Sequence, residues 1–296
     1  MQGQQQKVVV ITGASSGFGE SAVRSFSQKG YRVWGTVRGA NGRNAAKKAE
    51  LEAISPGISV IEMDVAEDAS VAAAFALILA AGRVDVLVNN AGIGYLGLAE
   101  SFTVAQAHDQ MNTNYYGVIR TTQAVLPAMR AAGGGLIINV SSIVGRISPP
   151  FFSVYSASKF ALEAYSQSLR YEVAHQGIDI AIVEPGPFRS GFIAHAQQGA
   201  RADVLEAYGP MAGIAPAMMV SFTEMLNSPG SPDPQTVVDA YINLAEKPSG
   251  QRPTRTVVGI NWGVEDLNPL SQPIQDKVLQ HMQLSDTPLK RGIDSA

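Results

Sequence analysis

The chain of 296 residues contains no cysteine, which excludes disulfides, thiolate metal centres and cysteine nucleophiles together. Histidine is scarce: His108, His175, His195 and His281 are scattered and show no metal-ligand spacing, so surface or lid roles are expected and a zinc enzyme is not. Charged residues make up only 16% and the formal net charge is −3, leaving no basic footprint for nucleic acid. The longest strongly apolar run, Val71 to Ala81, is too short to cross a membrane; it is expected to be a buried helix entered through Glu67-Asp68. Internal repeats, charged blocks and low-complexity linkers are missing. The polar start, Met1-Gln-Gly-Gln-Gln-Gln-Lys7, does not read as a secretory signal, so a soluble, cytoplasmic protein is expected.

What the chain does have is apolar residues, 46% of the total, enough for a large core. They fall into short runs: Val8 to Ile11, Arg32 to Val37, Ile58 to Ile61, Val84 to Val88, Leu136 to Val140 and Ile178 to Val183. Helix-length segments near 44–53, 67–81, 103–131 and 154–175 lie between most of them, and a helix beginning at Phe18 is stopped by Gly30. Apolar strands alternating with amphipathic helices predict parallel pairing through right-handed crossovers. A helix near 234–247 and a strand at Thr256 to Ile260 would complete about seven strands, with helices on both faces. Two stretches break the alternation. Residues 185–234 are rich in Gly, Pro, Ala and Met (Met211, Met218, Met219, Met225), which fits a lid adaptable to apolar ligands or a helical hairpin for oligomer contact. Residues 261–296 are predicted to be a polar tail with one helix around 272–283.

The first strand ends in Thr12-Gly-Ala-Ser-Ser-Gly-Phe-Gly19. A glycine-rich turn opening a helix leaves backbone N–H groups free at a positive helix end, a cradle for pyrophosphate. Gly13, Gly17 and Gly19 would supply the tight turn, the close backbone approach and the close helix packing, with Ser15, Ser16 and Phe18 between them. Further on, Tyr155 and Lys159 are four apart, so on a helix they share a face. A phenol with a pKa near 10 is a poor base at neutral pH, and a fixed positive charge beside it favours the phenolate.

The Gly-x-x-x-Gly-x-Gly spacing, followed in order by Asp64-Val65, Asn89-Asn-Ala-Gly92, Asn114, Ser142, Tyr155, Lys159 and Pro185-Gly186, resembles the classical short-chain dehydrogenase/reductase family over roughly residues 7–190. The resemblance implies a single Rossmann-type doubly wound domain over residues 1–260, with residues 185–234 as substrate lid and 261–296 as a C-terminal tail. It implies hydride transfer between a nicotinamide and a carbonyl or alcohol carbon. Tyr155 would be the general acid/base, Lys159 would hold the nicotinamide ribose and lower the phenol's pKa, Ser142 would bond the substrate oxygen, and Asn114 would hold a water leading from Lys159 to solvent. Asp64 and Val65 would bind the adenine, Asn90, Ala91 and Gly92 would run beside the adenosine ribose, and Pro185 and Gly186 would flank the nicotinamide. Phe188 and Ser190 complete the cofactor set, Phe188 being bulkier than the family's usual residue. Asn89 is read as structural, tying strand ends. Asp64 could also cap the helix near Glu67. Ser141 and Asn112 compete with Ser142 and Asn114, and the family spacing favours the latter two.

The second strand ends in Thr36-Val37-Arg38-Gly39, without the carboxylate that would favour NAD; Arg38 could pair with a 2′-phosphate, so NADP(H) is the expected cofactor and NAD(H) the lesser alternative. No metal is expected. The substrate would be a small carbonyl or alcohol compound, apolar or bulky to judge by the segment after Ser190, and the enzyme a homodimer or homotetramer. A dinucleotide-binding regulator without turnover and a sugar-nucleotide epimerase or dehydratase are the alternative readings.

Overall fold

β1 (Val8–Thr12) is buried at all five positions, as an apolar run in the middle of a parallel sheet has to be. In the computed structural model, which describes residues 6–284, it is followed by α1 (Gly17–Gln28), β2 (Arg32–Val37), α2 (Ala45–Glu52), β3 (Ile58–Glu62), α3 (Asp68–Ala80) and β4 (Val86–Asn89). Next, α4 (Val104–Met111) runs through a π turn at Asn112–Tyr116 into α5 (Gly117–Ala131). Then come β5 (Gly135–Val140), α6 (Ser153–Ala174) and β6 (Ile178–Pro185). Two short helices, α7 (Gly191–Ala194) and α8 (Ala202–Ala207), precede α9 (Ile214–Asn227), α10 (Gln235–Glu246), β7 (Arg255–Val258) and α11 (Val264–His281).

All seven strands pair in parallel in the order β3-β2-β1-β4-β5-β6-β7, the doubly wound sheet that the alternation predicts. Alternate residues of β1 feed opposite layers. Val9 and Ile11 join the cluster under α1 and α10 (Val23, Phe26, Val238, Tyr241), whereas Val10 joins the one under α3, α5 and α6 (Phe75, Met129, Leu169). The strand order reverses between β1 and β4, and that break opens a crevice at the carboxyl ends of the strands.

A buried polar network stitches the middle of the sheet to the helices above it. Asn89 of β4 donates to Asn139 Oδ1 on β5 at 2.9 Å, and Asn139 donates to Ser166 Oγ on α6 at 2.8 Å. Thr121 of α5 donates to Asn89 Oδ1 at 2.7 Å. This is the structural role expected of Asn89.

Three expectations change. The run from Val71 to Ala81 is not buried all round: α3 hides Val71, Ala74, Phe75 and Ile78 but leaves Leu77 62% exposed. The segment between β6 and α10 carries three helices. The tail helix starts at Val264 and runs through Pro269 and Pro273, whose cost to the backbone is offset by tertiary anchors: Arg146 donates to Asn268 Oδ1 and to Ser271 Oγ. Met1 to Gln5 of the polar start and residues 285–296 of the tail lie outside the described residues. Among the described residues no helix is long and apolar enough to cross a membrane.

Replacing Asn139 with Ala strands the Asn89 amide in the core, at a cost of about 1–3 kcal/mol. Urea denaturation should show a lower midpoint with an unchanged slope. A midpoint equal to the parent's contradicts the structural role of this network.

Candidate active site

The crevice is built first from the backbone. Thr12 Oγ1 accepts from the N–H groups of Asn90 and Ala91 at 3.0 and 2.9 Å, and the Asn90 amide donates to the carbonyl of Thr12 at 2.9 Å. The ends of β1 and β4 are thereby tied together below the glycine turn. Gly13 has φ +69°, and a Cβ there would stand 2.8 Å from Ala91 Cα. At Gly19 a Cβ would stand 2.2 Å from the Gly13 carbonyl oxygen and 2.6 Å from the Asn90 amide, so Gly19 is the packing glycine. Ser16 is the N-cap of α1 but its hydroxyl makes no capping bond, so the first-turn N–H groups face the crevice without a side-chain acceptor.

A single cavity of about 550 Å³ lies over this turn and extends across the sheet. Of the residues singled out in the sequence, it is lined by Gly13, Ser15, Ser16, Gly17, Phe18, Arg38, Asp64, Val65, Asn90, Ala91, Gly92, Ser142, Tyr155, Lys159, Pro185, Gly186, Phe188 and Ser190. Gly19 and Asn114 stand behind its wall. At the outer end Arg38 is exposed, 3.6 Å from Asp64 Oδ2, an ion pair too solvated to hold it in place. Val37 is buried in the core at 1% exposure, so the side chain preceding Arg38 does not face the crevice solvent. Asp64 Oδ1 accepts from Ala66 N–H at 3.0 Å and caps a turn; the N-cap of α3 is Glu67, so the helix-capping role considered for Asp64 is not the one it takes.

At the inner end, α6 carries Tyr155 and Lys159 on one face, 8% and 6% exposed. The ammonium donates to the carbonyl of Val140 at 2.8 Å and sits 5.7 Å from the centroid of the phenol ring. Burial holds the lysine down to about 8, and the charge of Glu163 opposes that fall. Burial pushes the phenol above its ordinary value, and the hydrogen bond to Ser142 pulls the other way. Desolvation dominates the phenol, and Ser142 is the group that offsets it. Ser142 Oγ also donates to the Pro185 carbonyl at 3.3 Å, which fixes it between the phenol and the end of β6.

Asn114 lies in the π turn, 1% exposed, a helix irregularity of the kind found at functional sites. Its Nδ2 donates to the Ile93 carbonyl at 3.0 Å and to Ser158 Oγ at 3.2 Å, and its Oδ1 accepts from Ile93 N–H at 2.9 Å. A Cβ built on Gly92 would stand 3.3 Å from that Oδ1 and 4.0 Å from Lys159 Nζ, so the two groups flank one point. The competitor Asn112 instead donates to the Ala66 carbonyl at 3.2 Å.

Phe188 meets Phe18 edge-on at 5.6 Å, and its ring lies where a Cβ on Gly259 would be, 2.5 Å away; the bulk of Phe188 is matched by a glycine. Gly186 is required by the Ile260 carbonyl, 1.8 Å from any Cβ at that position. Ser190 accepts from Phe192 N–H at 3.3 Å as the N-cap of α7.

The sequence reading missed the apolar half of the cavity. Phe192 stacks tilted on Tyr155 with ring centroids 5.0 Å apart, made possible by Gly94, whose Cβ position is 2.5 Å from that ring. Phe152, Met219, Phe222 and Trp262 add to this wall, and Trp262 holds a left-handed φ of +48°. Of the four methionines expected in a lid, only Met219 lines the cavity. No motif marks these residues; an aromatic just after Ser190 was the available signal. His195 is exposed and lines the cavity.

A family model described as short chain dehydrogenase matches residues 7–200. A 3-ketodihydrosphingosine reductase from Bacteroides thetaiotaomicron is 42% identical over 189 residues, 64% of this chain and 66% of that protein, so the chain spans just under two thirds of that relative. A short-chain dehydrogenase from Streptomyces avermitilis has a solved structure 30% identical to this chain, with a TM-score of 0.76 over 96% of this chain and 99% of that one. A variant of actinorhodin polyketide ketoreductase solved with NADPH is 27% identical, with a TM-score of 0.72 over 89% of this chain and 99% of that one. Fold, crevice and matches agree: the chain belongs to the short-chain dehydrogenase/reductase family of oxidoreductases.

Proposed function

We propose that the protein is an NADP(H)-dependent oxidoreductase that interconverts a carbonyl compound and an alcohol, with Tyr155 as general acid/base. The observation that carries this reading is a phenol that shares a cavity wall with Ser142, one turn from a buried ammonium, in a cavity that begins at a pyrophosphate-type glycine turn. The residues present fit the dinucleotide. Ser15, Ser16, Gly17 and Phe18 would hold the phosphates, Arg38 the 2′-phosphate, Asp64 and Val65 the adenine, and Asn90 to Gly92 the adjoining ribose. Pro185, Gly186, Phe188 and Ser190 would border the nicotinamide. When bound, the cofactor supplies or accepts the hydride.

The protein's own part is to hold the substrate oxygen and manage one proton. Ser142 hydrogen-bonds that oxygen. Tyr155, kept protonated at neutral pH by burial, donates H⁺ to it in reduction and takes H⁺ back in oxidation. Lys159 is charged below about pH 8, which favours the phenolate left after donation and a bond to the ribose hydroxyls. Asn114 holds a water for proton return.

Phe152, Phe192, Met219, Phe222 and Trp262 favour an apolar or bulky substrate, and residues 185–234 serve as its lid. The relatives named for reducing ketones, one of them bound to NADPH, are in keeping with this direction and cofactor. Val104, Tyr116 and Phe160 are exposed apolar residues on the α4–α6 face, the face we read as the dimer or tetramer contact.

Tyr155→Phe should cut turnover of an aldehyde and ketone panel by about 10²-fold or more while NADPH affinity stays within a few-fold of the parent. Substantial remaining activity overturns the acid/base role. Arg38→Ala should raise the Kd for NADPH about tenfold or more and leave that for NADH alone, since a charge-assisted contact contributes about 1.5–3 kcal/mol. Equal effects on both cofactors overturn the assignment of NADP(H).

A further inference from the structure

One helical turn beyond Lys159, the structure buries an acid pair that the chemistry above does not use. Glu163 of α6 is 3% exposed and Glu184 of β6 is fully buried. Both face the guanidinium of Arg255 on β7, whose Nε lies 2.9 Å from Glu163 Oε2 and 3.4 Å from Glu184 Oε1. Asn268 of α11 donates to Glu184 Oε2 at 2.5 Å. Arg146, from the turn after β5, spends its donors on Asn268 and Ser271.

That leaves Glu163 Oε1 and Glu184 Oε1, both buried and neither in a hydrogen bond, with Glu184 Oε1 facing only the Arg255 Nε at 3.4 Å. A bond between those two oxygens would join the carboxyl groups that Arg255 already bridges. Ionised carboxylates only accept, so such a bond requires a proton on one of them. The charge balance agrees. A single guanidinium bridges two carboxyls in a dry site, where a second negative charge is costly. Burial first, and then Glu163, push the Glu184 carboxyl up to about 8.

The pair adjoins the catalytic lysine. A Cβ at Gly145 would stand 3.1 Å from Glu163 Cγ and 3.2 Å from Lys159 Cβ, so both stems cross the same glycine. Tyr155, Lys159 and Glu163 follow each other at four-residue spacing along one stripe of α6. The titratable and charged groups that bear on the ammonium are therefore Tyr155 and Glu163 on α6, and those that bear on Glu163 are Glu184 on β6, Arg255 on β7 and Arg146 from the turn after β5.

We propose that Glu163 and Glu184 hold one proton between them, and that Glu163 is a positioning residue that sets, through this pair, how firmly Lys159 keeps its charge. The proposal rests on the role given to Lys159 above. With the shared proton on Glu184, a full negative charge stands beside the lysine; with the proton on Glu163, that charge is withdrawn. Loss of the shared proton as pH rises adds negative charge beside the ammonium in the same range where the lysine would otherwise discharge.

Infrared spectra of the wild-type protein at pH 7 should contain the carbonyl band of a buried protonated carboxylic acid, and the band should vanish in both E163Q and E184Q. Its absence from the wild type, or its persistence in both variants, overturns the shared proton. The alkaline limb of kcat/KM, and of NADPH affinity measured by fluorescence, should move in opposite directions: down by about half a pH unit or more in E163Q, and up in E184Q, where Glu163 is left fully ionised. Limbs that stay in place, or move the same way in both variants, overturn the positioning role. Should E163Q not fold, the wild-type band and E184Q decide the matter. The band and the affinities need no turnover, so their failure is distinct from a failure of the Tyr155 assignment.

Discussion

Lys159 brings an ammonium into a buried site, and much of the surrounding structure bears on that burial. A buried ammonium without partners loses its proton. Here the carbonyl of Val140 at the end of β5 accepts from it, the face of the Tyr155 ring lies nearby, and Glu163 supplies opposite charge from the next turn of α6. The phenol has the opposite difficulty, because the same burial discourages its ionised form. One desolvated wall thus drives both groups towards their neutral forms and their pKa values apart: the lysine becomes easier to discharge and the tyrosine harder to ionise.

That wall is where it is because of the sheet. Parallel strands send all their carboxyl ends to one edge, and the reversal of order between β1 and β4 leaves a gap there. The glycine turn enters the gap from β1, Asn90 to Gly92 from β4, Ser142 from beyond β5, and Pro185-Gly186 from β6. Tyr155 and Lys159 arrive from α6, which packs back over β5 and β6. The glycines at 13, 19 and 186 allow these segments to approach more closely than side chains would permit.

The strands and the glycine turn were legible in the sequence because each is encoded locally, by a run of apolar residues or by a turn that only glycine tolerates. The Tyr155–Lys159 pair was legible for the same reason, since four residues on a helix determine a shared face. What the sequence hid depends on contacts between distant segments. Glu163 and Glu184 read as ordinary charged residues until Arg255, 92 positions from Glu163, and Asn268, 84 positions from Glu184, are brought against them. Phe192 is an unremarked aromatic until Gly94 opens a place for its ring beside the phenol. The early start of α11 was hidden by Pro269 and Pro273, whose local veto is outweighed by the anchors of Asn268 and Ser271. The burial of the tyrosine was hidden too, because charge proximity can be read from spacing and desolvation cannot.

The central claim is that hydride reaches a carbonyl carbon in this crevice while Tyr155 protonates the oxygen. Incubation of the wild-type protein with NADPH deuterated at the transferring position, together with apolar ketones, tests it most directly. The account predicts an alcohol carrying deuterium on the carbinol carbon. Reduction without deuterium at that carbon, or no reduction of any ketone despite bound NADPH, contradicts it.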